Sequence, residues 1–481
     1  MSQAAFVYKT FARRETHPAR LGALARLHGI NAAPVERCSI LEIGCGDGGN
    51  LIPLAEVYPE SHFVGIDISV DAIQKGRAEI AELGLNNITL RQGDISSEPI
   101  EQERYDYIVC HGVYSWVSPE VQHSILAQGR LALKPAGVFL VTYNTLPGWR
   151  QRGVLRDILG VGAGRRATHP LERCALGLDF LKLVAAEKSA MSTSFGKYMT
   201  EALERFESSD PSYIHEEFLG SYNEPLLFSD FVDRARRHDL QFLTEARVVM
   251  TSCDDLSPAA KEYLENMGSD YIAREQALDI FRNRTFRETL LCREDEVLDR
   301  GLRVEIFKAL RLVSLYEALE PGDVARGFRE RVSGRVVSTP VGDCTDTLGV
   351  ISSFGTAGAC FADIFDRSRG SIEISERELL VAAVTLWRSG FVEVATAPFR
   401  AIDCDHDSVR VTKYAQLQAR SHPKVTSRSH DSYPLCEVER KALLLAHEGM
   451  SKHALVTLLL SEVHQKDSEA VINSLRERGF L

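Results

Sequence analysis

The sequence predicts an α/β protein: a doubly wound, Rossmann-like sheet of seven strands with a helical insertion, followed by a C-terminal half of α+β character. Three observations carry that reading. Five short apolar runs alternate with helix-compatible stretches over the first 150 residues, a glycine-rich loop directly follows the first run, and the pattern returns after residue 227 behind a purely helical stretch. Short buried strands separated by helices call for a parallel sheet covered on both faces. Ligands in such sheets bind beyond the carboxyl ends of the strands, so the chemistry is expected just after each strand.

The strand-like runs are 39–43, 63–67, 88–92, 105–110 and 137–142. Helices are expected at 50–57, 70–83 and 121–133, the last stopped by Pro135 and Gly137. From 155 to about 206 the chain is rich in Ala, Leu, Lys and Glu with no strand pattern, which marks an insertion. A helix at 228–238, a strand at 240–245, more helix at 258–282 and a strand at 286–292 then complete the sheet. The first domain is therefore discontinuous, 1–150 with 227–296, around an insertion at 151–226. Residues 297–400 form a middle accessory domain, with a helix at 376–389 and a strand at 392–395, and 401–481 form a C-terminal domain ending in helices.

At 481 residues the chain is long enough for about three domains. Its 44% hydrophobic and 26% charged residues exclude long disorder and a fibrous repeat. No apolar run approaches the roughly 20 residues that cross a bilayer, so no membrane insertion is expected. Fifty-six basic against 67 acidic side chains leave a net charge of −11, without the positive field of a nonspecific nucleic-acid binder. From residue 401 onward eleven basic and eleven acidic residues cancel, which disfavours DNA recognition by the tail in particular. The ten cysteines never form C-x-x-C and suggest reduced, mostly buried thiols in a cytoplasmic protein. Arg13, Arg14, Arg20 and Arg26 superficially suggest a transit peptide. The stretch has no apolar h-region, however, and Pro18 followed by Leu21, Leu24, Ala25 and Leu27 spaces an amphipathic helix of the first domain.

The loop after the first strand reads Glu42-Ile43-Gly44-Cys45-Gly46-Asp47-Gly48-Gly49-Asn50. Its glycines let backbone approach a ligand, with a helix N-terminus behind them. Gly44, Gly46 and Gly49 formally satisfy G-x-G-x-x-G, so a dinucleotide must be weighed. Glu42 and Asp47 would repel a diphosphate, whereas both suit a ligand carrying a sulfonium and an ammonium. Asp67 ends the second strand, where a carboxylate accepts both hydroxyls of a ribose. Gly93-Asp94-Ile95 ends the third, where an acid can accept from an adenine amino group while Ile68 and Ile95 cover its faces. His215-Glu216-Glu217 is no zinc signature, because position 219 is leucine rather than the second histidine of H-E-x-x-H, and it reads as a solvated or capping stretch.

This constellation resembles the class I S-adenosylmethionine-dependent methyltransferases. The resemblance implies S-adenosyl-L-methionine (AdoMet) as cofactor, with Glu42, Gly44, Cys45 and Gly46 at its methionine end, Asp67 at the ribose, and Asp94 with Ile68 and Ile95 at the adenine. It also implies a last strand inserted antiparallel beside the fifth. The stretch Cys110-His111-Gly112-Val113-Tyr114-Ser115-Trp116 departs from the Asn/Asp-Pro-Pro-Tyr of enzymes acting on nucleobase or glutamine amino groups. Thr16-His17-Pro18, Tyr143-Asn144-Thr145-Leu146-Pro147-Gly148-Trp149, Asn223-Glu224-Pro225-Leu226, and Phe281-Arg282-Asn283-Arg284 before Phe286-Arg287 are similar to a narrower bacterial group bearing a methyltransferase regulatory domain. That group includes protein-lysine methyltransferases acting on outer-membrane proteins. It implies a helical segment over the active site, often implicated in dimer contacts, and winged-helix-like modules in the C-terminal half.

A lysine acceptor sets a physical task. With a pKa near ~10.4, about one free lysine in 2,500 is neutral at pH 7, a cost of roughly 4.6 kcal/mol. Orientation and desolvation supply most of the rate, since methyl transfer needs little else. Tyr114, Trp116, Tyr143 and Trp149 are candidate walls of an acceptor channel, Asn144 a candidate acceptor of an amine hydrogen, and His111 a candidate proton relay beside the cofactor. Tyr8 and His17 could close over the cofactor from the N-terminal arm. The alternatives are a small-molecule O- or N-methyltransferase and a non-enzymatic AdoMet-sensing regulator.

Overall fold

Residues 10–98, 100–164, 167–189, 193–319, 327–337, 344–370, 372–399, 409–463 and 468–481 are described by a computed structural model. Seven strands form one sheet: β1 (Ser39–Ile43), β2 (His62–Asp67), β3 (Ile88–Gln92), β4 (Tyr105–Cys110), β5 (Leu133–Asn144), β6 (Leu240–Glu245) and β7 (Phe286–Arg293). Their spatial order is β3-β2-β1-β4-β5-β7-β6. The first five are parallel, and β7 runs antiparallel between β5 and β6. The strand order reverses beside β1, which places the switch point at the glycine loop.

The helices follow from local rules. The helix α1 (Pro18–Leu27) starts with Pro at its first position and the His17 ring capping Ala19 N. The short α2 (Ile52–Val57) follows the glycine loop, and α3 (Val70–Leu83) runs from a Ser69 N-cap to Gly84 in the left-handed region. The helix α4 (Pro119–Ala132) ends earlier than Pro135 and Gly137 would require, because β5 begins at Leu133 and passes straight through both. The insertion comprises α5 (Trp149–Ala163), α6 (Pro170–Ser189) and α7 (Ser194–Glu207), with its own small core around Leu155, Leu159, Met199 and Phe206. The expected helix over 258–282 is two helices, Pro258–Glu265 and Tyr271–Phe281.

Helix α1 is buried almost all round rather than along one stripe. It sits between the sheet and the middle module, where Arg20 pairs with Glu393 at 2.7 Å and Ala19 O accepts from Thr396 N. One apolar cluster accordingly runs from the sheet (Ile40, Tyr107, Leu290) through α1 into the middle module (Leu312, Leu379, Val394). Among the described residues that module has helices Val304–Ala309, Thr345–Ser352, Phe361–Ser368 and Glu376–Arg388 with two three-stranded sheets, one of Ala359–Cys360, Arg311–Ser314 and Val392–Ala395 and one of Val336–Val337, Phe328–Glu330 and Tyr316–Ala318. The C-terminal part has a hairpin (Lys424–Thr426 with Ser432–Pro434) ahead of three helices. Among the described residues no helix is long and apolar enough to cross a membrane.

Candidate active site

A cavity of about 1020 Å³ lies at the carboxyl ends of β1, β2, β3, β4 and β5. Its floor is the glycine loop. Gly44 and Gly46 have φ of 76° and 55°, and a Cβ on Gly46 would lie 2.5 Å from the Thr10 methyl, so only glycine fits both the conformation and the space. Gly46 N donates to Asp67 Oδ2 at 2.7 Å and Ser69 N to Oδ1 at 2.8 Å, so Asp67 ties the loop to the end of β2. Asp67, Ile68, Asp94 and Ile95 all line the cavity, with Ile68 and Asp94 at its solvent side. Asp94 is held ionised, its carboxyl lowered by the hydroxyl and backbone N–H of Ser96.

Glu42 is the buried charge of the site, 5% exposed. Its Oε1 accepts from Asn50 Nδ2 at 3.0 Å, and Oε2 has no partner among the described residues. Burial, reinforced by the negative charge of Asp67, pushes this carboxyl from 4.5 up to about 8. An orphaned buried carboxylate oxygen beside a glycine cradle fits the ammonium of a methionine moiety. Binding such a cation favours the ionised form and lowers the pKa, so at pH 7 association should release close to one proton. Affinity should then rise with pH and level off near 8. Calorimetry in two buffers of different ionisation enthalpy reads that proton directly, and a buffer-independent enthalpy would refute the assignment.

Other residues singled out from the sequence divide by strand alternation and packing. Asn144 pairs with Phe286 and Thr142 with Glu288 across β5 and β7, and Asn144, Phe286 and Glu288 line the cavity. Tyr143 pairs with Arg287 and therefore points to the opposite face. There Tyr143 is 1% exposed, stacks on Phe231 at 4.0 Å, and its hydroxyl meets Thr289 Oγ1. Tyr114 is equally buried, edge-on to Phe231. Neither tyrosine lines the cavity, which corrects their assignment as channel walls. Trp116 does line it, backed edge-on by the buried Trp149. His111 lines it too, with burial and Arg13 pushing its pKa down to about 4, so its imidazole is neutral at pH 7 and cannot retain a proton there.

Three further assignments are corrected. Cys45 points beneath the loop, where a Cβ on Gly65 would meet its sulfur, and does not line the cavity. Asp47 is spent inside the protein, accepting from Thr10 and pairing with Lys75. His17 is buried against Tyr58, Phe399 and His430, away from the cavity. Tyr8 lies outside the described residues.

The resemblance implies a helical segment over the site, but not which of its residues form the opposite wall. Tyr213, Glu216, Glu217, Gly220, Ser221 and Tyr222 line the cavity from the last part of the insertion, where 215–219 forms one π-helical turn. Arg152 pairs with Glu217 at 3.4 Å, and Arg156 donates to the carbonyls of Glu217 and Gly220. Within His215-Glu216-Glu217, the two glutamates line the cavity, Glu216 from its exposed rim, so the stretch is more than a solvated cap. The Asn223–Leu226 motif is pinned to the end of β5, with Leu226 N donating to Asn144 O and Glu224 N to Ser115 O.

Two family models match the chain: a methyltransferase domain over residues 34–153 and a predicted methyltransferase regulatory domain over 210–293. The uncharacterized protein RP789 of Rickettsia prowazekii is 32% identical over 306 residues, 64% of this chain and 55% of its own length. The uncharacterized protein RP028 of the same organism is 34% identical over 238 residues, 49% of this chain and 94% of its own length. The chain belongs to the class I methyltransferases that carry a methyltransferase regulatory domain. As in that fold, the cofactor of this methyltransferase is AdoMet, and the orphaned Glu42 oxygen and the Gly44–Gly46 cradle fit it. The solved structure of PKMT2 from Rickettsia typhi in complex with AdoHcy shares the fold across 98% of this chain and 99% of its own, with a TM-score of 0.84 at 22% identity. The match to RP789 covers only about half of that protein's length.

Proposed function

We propose that this methyltransferase transfers methyl groups from AdoMet to lysine side chains of a protein, with a bacterial surface protein as the acceptor class. One observation carries the reading: the cavity is electronegative and open rather than closed and apolar. Eight acidic side chains line it against three guanidinium groups, so an acidic excess remains with Glu42 protonated and Glu288 raised to about 7, and it opens to solvent around Ile68, Asp94 and Gly112. A volume of about 1020 Å³ matches the upper end of the roughly 300–1,000 Å³ that one drug-sized ligand occupies. It leaves room for an acceptor side chain beside the cofactor. Negative potential draws in a cationic lysine, and desolvation against the aromatic wall of Trp116, Tyr213 and Tyr222 then disfavours the charged form, opposing the pull of the carboxylates on the amine's pKa.

The residues then have distinct tasks. Glu42 holds the methionine ammonium, Asp67 the ribose, and Ile68, Asp94 and Ile95 the adenine. Asn144, buried at the end of β5 with its amide nitrogen unpartnered among the described residues, orients the acceptor amine. Which way that amide points is set by the ligand. His111 acts as a neutral hydrogen-bonding group. The match in fold to PKMT2, whose solved structure holds AdoHcy, supports the cofactor placement.

Incubation of the purified protein and methyl-labelled AdoMet with a lysate of its source cells tests the acceptor class. Label is expected in a protein band and, after acid hydrolysis, in methyl-lysine. Label confined to the small-molecule fraction would replace a protein acceptor with a metabolite.

A further inference from the structure

We infer that His430, from the C-terminal hairpin, is a positioning residue for the cofactor carboxylate Glu42, acting through Asn50. This inference rests on the placement of the AdoMet ammonium at Glu42.

His430 stands at the tip of the turn between Lys424–Thr426 and Ser432–Pro434 and has a φ of 62°. A non-glycine residue in the left-handed region is uncommon and marks a conformation that the surroundings impose. The turn is held by Ser427 N to Asp431 O at 2.8 Å and His430 N to Ser427 O at 3.0 Å. A buried fork, Arg14 Nε and Nη2 on the two oxygens of Asp431 at 2.7 and 2.6 Å, clamps it against the first domain. The clamp sets the His430 ring, 2% exposed, with Nε2 at 2.9 Å from Asn50 Oδ1.

Asn50 is 4% exposed, and its hydrogen bonds fix which end of the amide is which. Oδ1 accepts from Arg13 N at 3.0 Å and from His430 Nε2, which together fill its two lone pairs. The Thr16 hydroxyl, 3.0 Å from the same oxygen, has a carbonyl acceptor at 2.8 Å in Arg13 O. Nδ2 is then left to donate to Glu42 Oε1. His430 therefore carries its hydrogen on Nε2, and burial holds the ring neutral, its pKa pushed down to about 3. The result is an unbroken buried chain, His430 to Asn50 to Glu42, from an accessory domain some 380 residues downstream of Asn50 to the methionine end of the cofactor site. Without His430 the amide loses one of the two donors that orient it, and Glu42 loses its fixed partner.

The test measures two ligands on the full-length protein by calorimetry: AdoHcy, which carries the amino-acid end, and 5′-methylthioadenosine, which lacks it. His430→Ala is expected to weaken AdoHcy binding about tenfold and to leave methylthioadenosine within twofold. His430→Gln, whose amide N–H reaches the same position, should restore AdoHcy binding. His430→Asn tolerates the left-handed backbone but falls short of Asn50, so it should not. Should His430→Ala fail to fold, Asn50→Ser breaks the same chain from the first domain and should show the same selective loss. Equal losses for both ligands, or no loss for either, would overturn the inference. If the wild-type protein did not bind AdoHcy at all, the cofactor placement itself would fall, a distinct result.

Discussion

Arg287→Ala is expected to lower the stability of the fold by about 3–5 kcal/mol and to shift its denaturation midpoint sharply down. Arg287 is fully buried at the seam of the late strands and reaches three carboxylates at once. Its Nη1 meets Glu245 at 2.7 Å, its Nε meets Asp279 Oδ2 at 2.9 Å, and its Nη2 meets Glu275 at 3.2 Å, while the guanidinium lies 3.8 Å over the Phe228 ring. Removing the cation leaves those acids buried with Arg284 as their remaining cation among the described residues, 3.3 Å from Asp279 and 3.9 Å from Glu245. Breaking a buried ion pair by deleting one partner costs about 3–5 kcal/mol, a large part of a typical margin of about 5–15 kcal/mol. Lysine would not substitute, because a point charge cannot span three acceptors in a plane. Chemical denaturation of Arg287→Ala and Arg287→Lys checks this, and a midpoint unchanged in the alanine variant would show the cluster to be dispensable. The cluster also gives a physical role to the Phe281–Arg284 and Phe286-Arg287 motif, whose Arg282 donates to Val249 O and Ser252 O. These arginines fasten the loop before β7 and so hold Phe286 and Glu288 at the cavity.

Asp67→Ala is expected to abolish measurable AdoHcy binding while the fold survives. Asp67 is only half-buried, so its loss creates no cavity in the core. Its two oxygens accept from Gly46 N and Ser69 N, and the proposed ribose hydroxyls take the remaining lone pairs. Hydrogen bonds to charged groups contribute about 1.5–3 kcal/mol each, so losing two to the ribose lowers affinity on the order of a hundredfold or more. The glycine loop also loses its Gly46 tie to β2, while Gly44 N and Cys45 N keep donating to Ile66 O, which adds to the loss without unfastening the loop. Asp67→Asn keeps one acceptor oxygen and should fall between the two. Calorimetry with AdoHcy decides, with circular dichroism as the fold control; an affinity within threefold of wild type would remove Asp67 from the ribose.

Much of the fold was legible because the signals were local. Six strands fall where the apolar runs place them, β1 to β4 ending at Ile43, Asp67, Gln92 and Cys110 and two late ones at 240–245 and 286–293, while β5 starts at Leu133, ahead of the expected 137; α3 spans 70–83 as its Ser cap and Gly stop require. Which residues meet at the cavity was partly legible for the same reason: Glu42, Gly44, Gly46, Asp67 and Asp94 each lie at or just after a strand end that topology turns toward one mouth. Side-chain direction was harder to read. In Tyr143-Asn144 one residue faces the cavity and its neighbour the core, and the register of β5 on β7, which decides between them, is a long-range fact. Asp47 and Cys45 sit in the motif by sequence yet are turned inward by Lys75 and Gly65.

By itself the sequence determined the α/β architecture, the cofactor cradle and the acidic character of the site, because strand period, glycine placement and charge are properties of adjacent residues. Only the tertiary structure decided what stands opposite the cofactor. Glu216 and Glu217 come from the far side of the insertion, and His430 from a hairpin nearly four hundred residues from the loop it supports. Such contacts depend on how separate modules pack, through the buried Arg14–Asp431 fork and the apolar seam along α1. No periodicity within a single segment encodes them.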